Sequence, residues 1–122
     1  MKKIIIAGSR NFNDFSLLDY EVKKFILENF NKEDEIEIVS GTAAGADKLG
    51  ERFAEKYNFP VKKFPANWDL HGKKAGPIRN EEMAKYATHC IVFWDGESRG
   101  SKNMIENAEK YNLVLRIVRY GT

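Results

Sequence analysis

Lys2-Lys3-Ile4-Ile5-Ile6-Ala7-Gly8-Ser9-Arg10 begins as a nearly continuous apolar, β-branched run and ends in a glycine, a hydroxyl and a cation. A run without polar alternation leaves no face for water, so it reads as a strand covered on both sides, near the centre of a parallel sheet. Charge or glycine ends it within a few residues, too soon for a spanning helix or a signal-peptide core. The expectation is a cytoplasmic protein with no membrane partner.

The same alternation of strand, loop and helix continues downstream. Leu18, Val22, Phe25, Ile26 and Phe30 recur at helical spacing, with Asp14 or Ser16 available as the N-cap. Ile36-Glu37-Ile38-Val39 reads as a second strand. Ser40-Gly41-Thr42-Ala43-Ala44-Gly45-Ala46-Asp47 follows, and then a helix with its apolar side at Ala46, Leu49, Phe53, Ala54 and Tyr57. A short third strand starts at Phe59-Pro60-Val61 and ends near Phe64. Proline has no N–H for a ladder, so this strand lies at an edge or begins at the proline. Residues 65–76 read as a long loop, and Pro77 as part of the first turn of a third helix that runs to about Thr88. Residues 90–94 are the fourth strand, 95–100 another polar glycine loop, Ser101 the cap of a fourth helix, and 114–118 the last strand.

Ala54-Glu55-Lys56-Tyr57-Asn58 and Ala108-Glu109-Lys110-Tyr111-Asn112 are identical, and each precedes a strand. Asparagine tolerates the left-handed conformation that ends helices, so the two read as a shared stop signal. Strands alternating with helices over the whole chain imply right-handed parallel crossovers. The predicted fold is α/β, a Rossmann-like, doubly wound five-stranded parallel sheet flanked by helices, with one domain over residues 1–122.

Composition narrows the function. The net charge of +2 is too small for a general nucleic-acid surface, so any basic site is local. Cys90 is the sole cysteine, and neither His71 nor His89 stands at metal-ligand spacing from it, so no metal site is expected.

In an open parallel sheet the ligand crevice lies beyond the carboxyl ends of the strands. Four loops follow strands here, and each carries candidate binding residues. Gly8, Ser9 and Arg10 follow the first strand, where the guanidinium can pair with a phosphate or simply face solvent. After the second, Ser40, Gly41, Thr42 and Gly45 precede a helix; backbone N–H groups free to meet an anion, or a tight turn and close packing, both account for the glycines. Asp47 can bond a ribose hydroxyl or just occupy the first helical turn. In the third loop Trp68 can stack on a base or cover the core, Lys73 and Lys74 supply cations or a solvated edge, and Arg79 and Asn80 start a helix at the same crevice. In the fourth, Asp95 can orient a sugar hydroxyl or base, Glu97 points to solvent, and Gly100 and Ser101 form a second small-residue cradle. His89 opens a strand away from this end and reads as structural.

These loops closely resemble those of the YspA-like, cpYpsA-related branch of the SLOG superfamily. The resemblance rests on Ala7-Gly8-Ser9-Arg10, the stretch from Ser40 to Asp47, Pro65-Ala66-Asn67-Trp68 with Ala75-Gly76-Pro77-Ile78-Arg79-Asn80, and Trp94-Asp95-Gly96 through Gly100-Ser101. It implies a Rossmannoid fold that takes a nucleotide or nucleotide-derived small molecule, such as a nucleoside phosphate or an ADP-ribose relative. The superfamily also contains the Lonely Guy phosphoribohydrolases and the DprA proteins, so a nucleotide hydrolase of the N-glycosidase type and a binder of single-stranded nucleic acid are the alternatives. In the hydrolase pattern Gly-Thr-x-x-Glu supplies a catalytic glutamate. The matching stretch here is Gly100-Ser101-Lys102-Asn103-Met104, and methionine does no acid or base chemistry. The resemblance therefore implies binding or sensing over turnover, and leaves cofactor and homo-oligomeric state unassigned.

Overall fold

A strand buried on both faces needs a neighbour on each side and a layer above and below. The computed structural model, which describes residues 1–121, meets that demand. In chain order the elements are β1 (Lys2–Gly8), α1 (Phe15–Asn29), β2 (Ile36–Ser40), α2 (Ala46–Lys56), β3 (Val61–Lys63) and α3 (Trp68–His71). A 3-10 turn (Gly72–Lys74) leads into α4 (Ala75–Tyr86), β4 (His89–Trp94), α5 (Arg99–Lys110) and β5 (Val114–Arg119). The sheet order is β3-β2-β1-β4-β5, with every pairing parallel. The order reverses between β1 and β4, and such switch points are where open α/β sheets hold ligands.

Side chains alternate across the sheet as the strand period requires. Ile4, Ile6, Ile38, Ile91 and Phe93 pack with Leu18, Val22 and Phe25 of α1 and with Phe53 and Ala54 of α2. Ile5, Ala7, Val39, Cys90 and Val92 face the other way, onto Met83 and Ala84 of α4 and Met104, Ile105 and Ala108 of α5. Burying one such side chain contributes roughly 1.5–3 kcal/mol, so the two clusters dominate the stability. No helix among the described residues is long and apolar enough to cross a membrane.

The short β3 begins just after Pro60 and is an edge strand, and the Pro60 carbonyl accepts from the Ile38 amide at 2.9 Å before the strand begins. Both repeated helix exits close identically. Asn58 and Asn112 hold φ of 60° and 58°. The amides that follow, Phe59 and Leu113, reach back to the carbonyls of Ala54 and Ala108 at 2.8 and 2.9 Å.

The structure uses one of the two candidate caps of α1, and several later boundaries differ from the sequence reading. Asp14 is the N-cap of α1, its carboxylate accepting from the Leu17 amide at 3.0 Å. The stretch 65–76 is not a plain loop: Asn67 caps the short α3, and α4 starts two residues before Pro77 and stops at Tyr86 rather than Thr88. Ser98, not Ser101, caps α5, because Ser98 holds extended backbone angles while Ser101 is already inside the first turn and donates its amide to the Ser98 hydroxyl.

Gly8 is a packing requirement. A Cβ there would collide with the Phe93 carbonyl oxygen and lie 2.9 Å from the Ala46 Cβ, whereas one on Gly100 meets nothing within 4 Å. Gly8→Ala is therefore expected to lower stability by about 2 kcal/mol, roughly 5–10 °C in melting temperature, while Gly100→Ala leaves it nearly unchanged. Thermal denaturation of the two variants beside the parent checks this, and equal melting temperatures would refute it.

Candidate functional site

β1 and β4 end side by side, with Gly8 opposite Phe93. Ser9, buried just beyond, ties the surrounding loops together. Its amide donates to the Phe93 carbonyl at 3.0 Å, its hydroxyl accepts from the Asp95 amide at 3.3 Å, and its carbonyl accepts from the Phe12 and Ala46 amides at 3.2 and 3.4 Å. Gly45 crosses over this clip at φ 79°, where a Cβ would collide with the Ser9 and Arg10 carbonyls. Only glycine passes there.

The loop after β2 takes up two of its own amides. The Thr42 amide donates to the Ser40 hydroxyl at 3.1 Å, and the Ala43 amide donates to the Asp47 carboxylate at 3.1 Å. Ser40 in turn donates to Glu51 at 2.6 Å. The chain thus supplies its own anion at the start of α2. Asp47 is buried, and burial pushes its carboxyl up to about 6, against the lowering pull of the Ala43 N–H and of the Arg79 and Arg10 charges. Arg79 donates to the Gly41 carbonyl and, through Nε, to Asn80 at 2.9 Å. Burial lowers its pKa while the Asp47 charge raises it. A Cβ on Gly41 would stand 2.8 Å from both the Arg79 Nη1 and the Asp47 Oδ2, so this glycine makes room for both side chains. Asn80, buried, braces α4 against α5 by donating to the Gly100 carbonyl at 3.3 Å and the Asn103 side chain at 3.0 Å.

Around this knot lies a cavity of about 620 Å³. It is lined by Gly8, Ser9, Arg10, Asp47, Trp68, Lys73, Arg79, Asn80, Asp95, Gly100 and Ser101, and Met83 and Met104 also border it. Gly41 and Thr42 border a smaller adjoining cavity of about 360 Å³, while Ser40 and Gly45 line neither and act by shaping the loops. Trp68 is 50% exposed, which rules out a lid over the core, and its ring lies 5.9 Å from the Arg10 guanidinium. The Asp95 carboxylate accepts from the Ser98 and Glu97 amides at 2.8 and 2.9 Å, and these bonds hold its pKa below the ordinary value. Glu97 is exposed, as expected, and His89 lies buried at the far end of β4, its ring 4.5 Å from that of Phe30.

Sequence reasoning missed Ser98, Arg99 and Asn103, which border the same cavity. The available signal was the cap: placing it at Ser98 sets Arg99, Gly100 and Ser101 on the first turn of α5. Arg10, Lys73 and Arg99 have no ion-pair partner among the described residues. Met104 is 1% exposed, and Glu106, exposed, does not line the cavity.

Comparison with known proteins adds to this geometry. The family model of the YspA, cpYpsA-related SLOG family matches residues 2–71, which carry Arg10, the Ser40 to Asp47 loop and Trp68. The Gene 61 protein of Mycobacterium phage D29 is 32% identical over 128 residues, covering 99% of this chain and 98% of that protein. Among solved structures, DNA processing protein A (DprA) from Streptococcus pneumoniae matches with a TM-score of 0.71 at 21% identity, over 98% of this chain. The match covers 50% of the DprA chain, so this protein spans half its length and shares the fold of that half.

The displaced pKa of Asp47 has a measurable sign. Between its ordinary value of 3.8 and the folded value of about 6 the folded chain binds more protons than the unfolded chain, so this group's contribution to stability falls as pH rises through that window. Asp47→Asn removes the titration. Urea denaturation from about pH 4 to about pH 7 is expected to show the variant gaining on the parent by roughly 2 kcal/mol, and a difference independent of pH would refute the assignment.

Proposed function

Because the chain belongs to the YspA, cpYpsA-related SLOG family, we propose that it binds a nucleotide or nucleotide-derived small molecule in the larger cavity at the carboxyl ends of β1 and β4. The observation that carries this reading is the set of cations with no acidic partner, Arg10, Lys73 and Arg99, bordering one cavity at the switch point of the sheet. The phosphate sits at the first turn of α5. There the Arg99 and Gly100 amides and the Ser101 hydroxyl are at hand, and the helix dipole favours negative charge. Arg10 closes on it from the opposite loop. Gly41, Thr42 and Gly45, whose loop is filled by Asp47, shape the site from behind.

Gly100 supports this placement. The space around it is open, so the fold does not call for glycine there, but a phosphate approaching the backbone does. Trp68, half-exposed beside Arg10, offers its face to a base, and the Asp95 carboxylate stands ready for a sugar hydroxyl. The ligand is held rather than hydrolysed: the α5 position that would present a catalytic glutamate is the buried Met104. A single-stranded nucleic acid fits less well, since these cations gather in one cavity rather than along a groove.

A thermal-shift panel of nucleoside phosphates tests the reading. A ligand at a hundredfold excess over its Kd should stabilise the protein by about 2.7 kcal/mol. Gly100→Val, which keeps the fold, should abolish the shift. No shift from any nucleotide, or an undiminished shift in the variant, would refute the proposal.

A further inference from the structure

The two edges of the sheet are finished differently. β3 is three residues long, follows Pro60 and exposes Lys62 and Lys63, all features that keep another strand from pairing. β5 is six residues long, carries no lysine or proline, and exposes Val114 and Ile117 at 45% and 41%. Among the described residues it has a neighbour, β4, on one side only. The amides of Val114 and Tyr120 donate to the Thr88 and Trp94 carbonyls at 3.2 Å each, at the two ends of an unbroken ladder with β4. Peptide groups alternate sides along a strand, so those of Leu115, Ile117 and Arg119 point away from β4, with no strand to meet them.

These three residues also share a face. Cys90, Val92 and Trp94 lie beside them in register, which puts Leu115, Ile117 and Arg119 on the side of the sheet that α5 covers. α5 turns Asn103 and Lys110 toward α4, where they meet Asn80 and Glu81 at 3.0 Å each. Its opposite flank, above the open edge, carries Lys102, Ile105 and Glu109. Ile105 is buried, while Lys102 and Glu109 are exposed, about two turns apart, and make no ion pair among the described residues. A cation at one end of this flank and a carboxylate at the other complement each other when a copy is turned end for end.

We propose that β5 is a dimerisation edge: a second copy of this chain adds its own β5 antiparallel across a two-fold axis through Ile117, joining the two five-stranded sheets into one. Parity fixes the register. Leu115, Ile117 and Arg119 alone offer outward peptide groups within β5, and an axis through Ile117 pairs all three. Ile117 meets Ile117 of the second copy and Leu115 meets its Arg119, each pair exchanging backbone hydrogen bonds. Directly opposed side chains share a face, so the two isoleucines close over each other and the Arg119 stem covers Leu115. α5 runs back along the strand it precedes, so its midpoint near Ile105 lies level with the middle of β5. The axis therefore brings Lys102 of each copy level with Glu109 of the other. Arg116, next to the axis, is already paired with Glu28 at 2.9 Å and puts no unmatched charge there. Such a contact is self-complementary and closes after two copies, so no filament follows. Lys102, Ile105, Glu109 and Ile117 border neither cavity, which makes the dimer independent of the nucleotide reading.

Sedimentation of the whole chain at concentrations from about 1 to about 100 μM tests the proposal, with twice the chain mass expected at the upper end. In the dimer the Leu115, Ile117 and Arg119 amides should exchange with deuterium as slowly as those of Val114, Arg116 and Val118. Ile117→Lys, at an exposed position, should give a monomer whose circular dichroism matches the parent's. Lys102→Glu sets like charges against each other across the axis and should weaken the dimer by about tenfold or more, and adding Glu109→Lys should restore it. A chain that stays monomeric at every concentration, or a dimer that neither Ile117→Lys nor Lys102→Glu weakens, would overturn the proposal. A double variant no tighter than Lys102→Glu alone would overturn it as well.

Discussion

Ile4, Ile5 and Ile6 are consecutive in a strand, so their side chains point alternately to opposite faces of the sheet, and all three are fully buried. Each face must then carry its own helical layer, α1 and α2 on one side and α4 and α5 on the other. Helices on both faces require crossover connections, and crossovers make the sheet parallel. A parallel sheet in turn delivers every strand-to-helix loop to one edge. The cavity-bearing edge is thus a consequence of where three isoleucines are buried, and Gly8, which lets β1 leave the sheet beside Phe93, is the point at which core packing becomes cavity geometry.

At that edge, loops of similar composition do different work. Gly41 and Gly45 are demanded by close contacts, with the Arg79 and Asp47 pair in one case and with the Ser9 and Arg10 carbonyls in the other. The amides of Thr42 and Ala43, just before α2, are taken by Ser40 and Asp47. At the start of α5 the carboxylate nearest in sequence, Asp95, is committed to the turn of Glu97 and Ser98, and the first helical turn borders the cavity. A buried carboxylate behind one helix and unpaired cations before the other give the cavity its polarity. The field before α5 is set by Arg10 and Arg99, while Arg79 is held in place by the Gly41 carbonyl and Asn80.

Much of this was legible in the sequence because it depends on short-range rules. Unbroken apolar runs announced buried strands, Pro60 an edge strand or a strand start, and Asn58 and Asn112 identical helix exits. Family resemblance named residues that do gather at one edge. What was not legible depends on partners distant in sequence. Ser98 and Ser101 both qualify as caps by residue type, and only the backbone angles at Ser98 decide between them. Asn67 caps a single helical turn too short to show any periodicity. The role of Asp47 follows from Arg79, 32 positions later, and from the depth at which α2 packs, and neither is visible in a glycine loop read alone.

The proposed nucleotide is to be located by the residues it touches. Titration of a nucleotide into the isotopically labelled protein, followed by backbone amide and indole NMR shifts, reads that out residue by residue. The largest changes are predicted at Arg10, Arg99, Gly100, Ser101 and the Trp68 indole, with His89 and Val114, at the opposite end of the sheet, unmoved. Saturable changes centred on that opposite end, with Arg10 and the first turn of α5 silent, would contradict it.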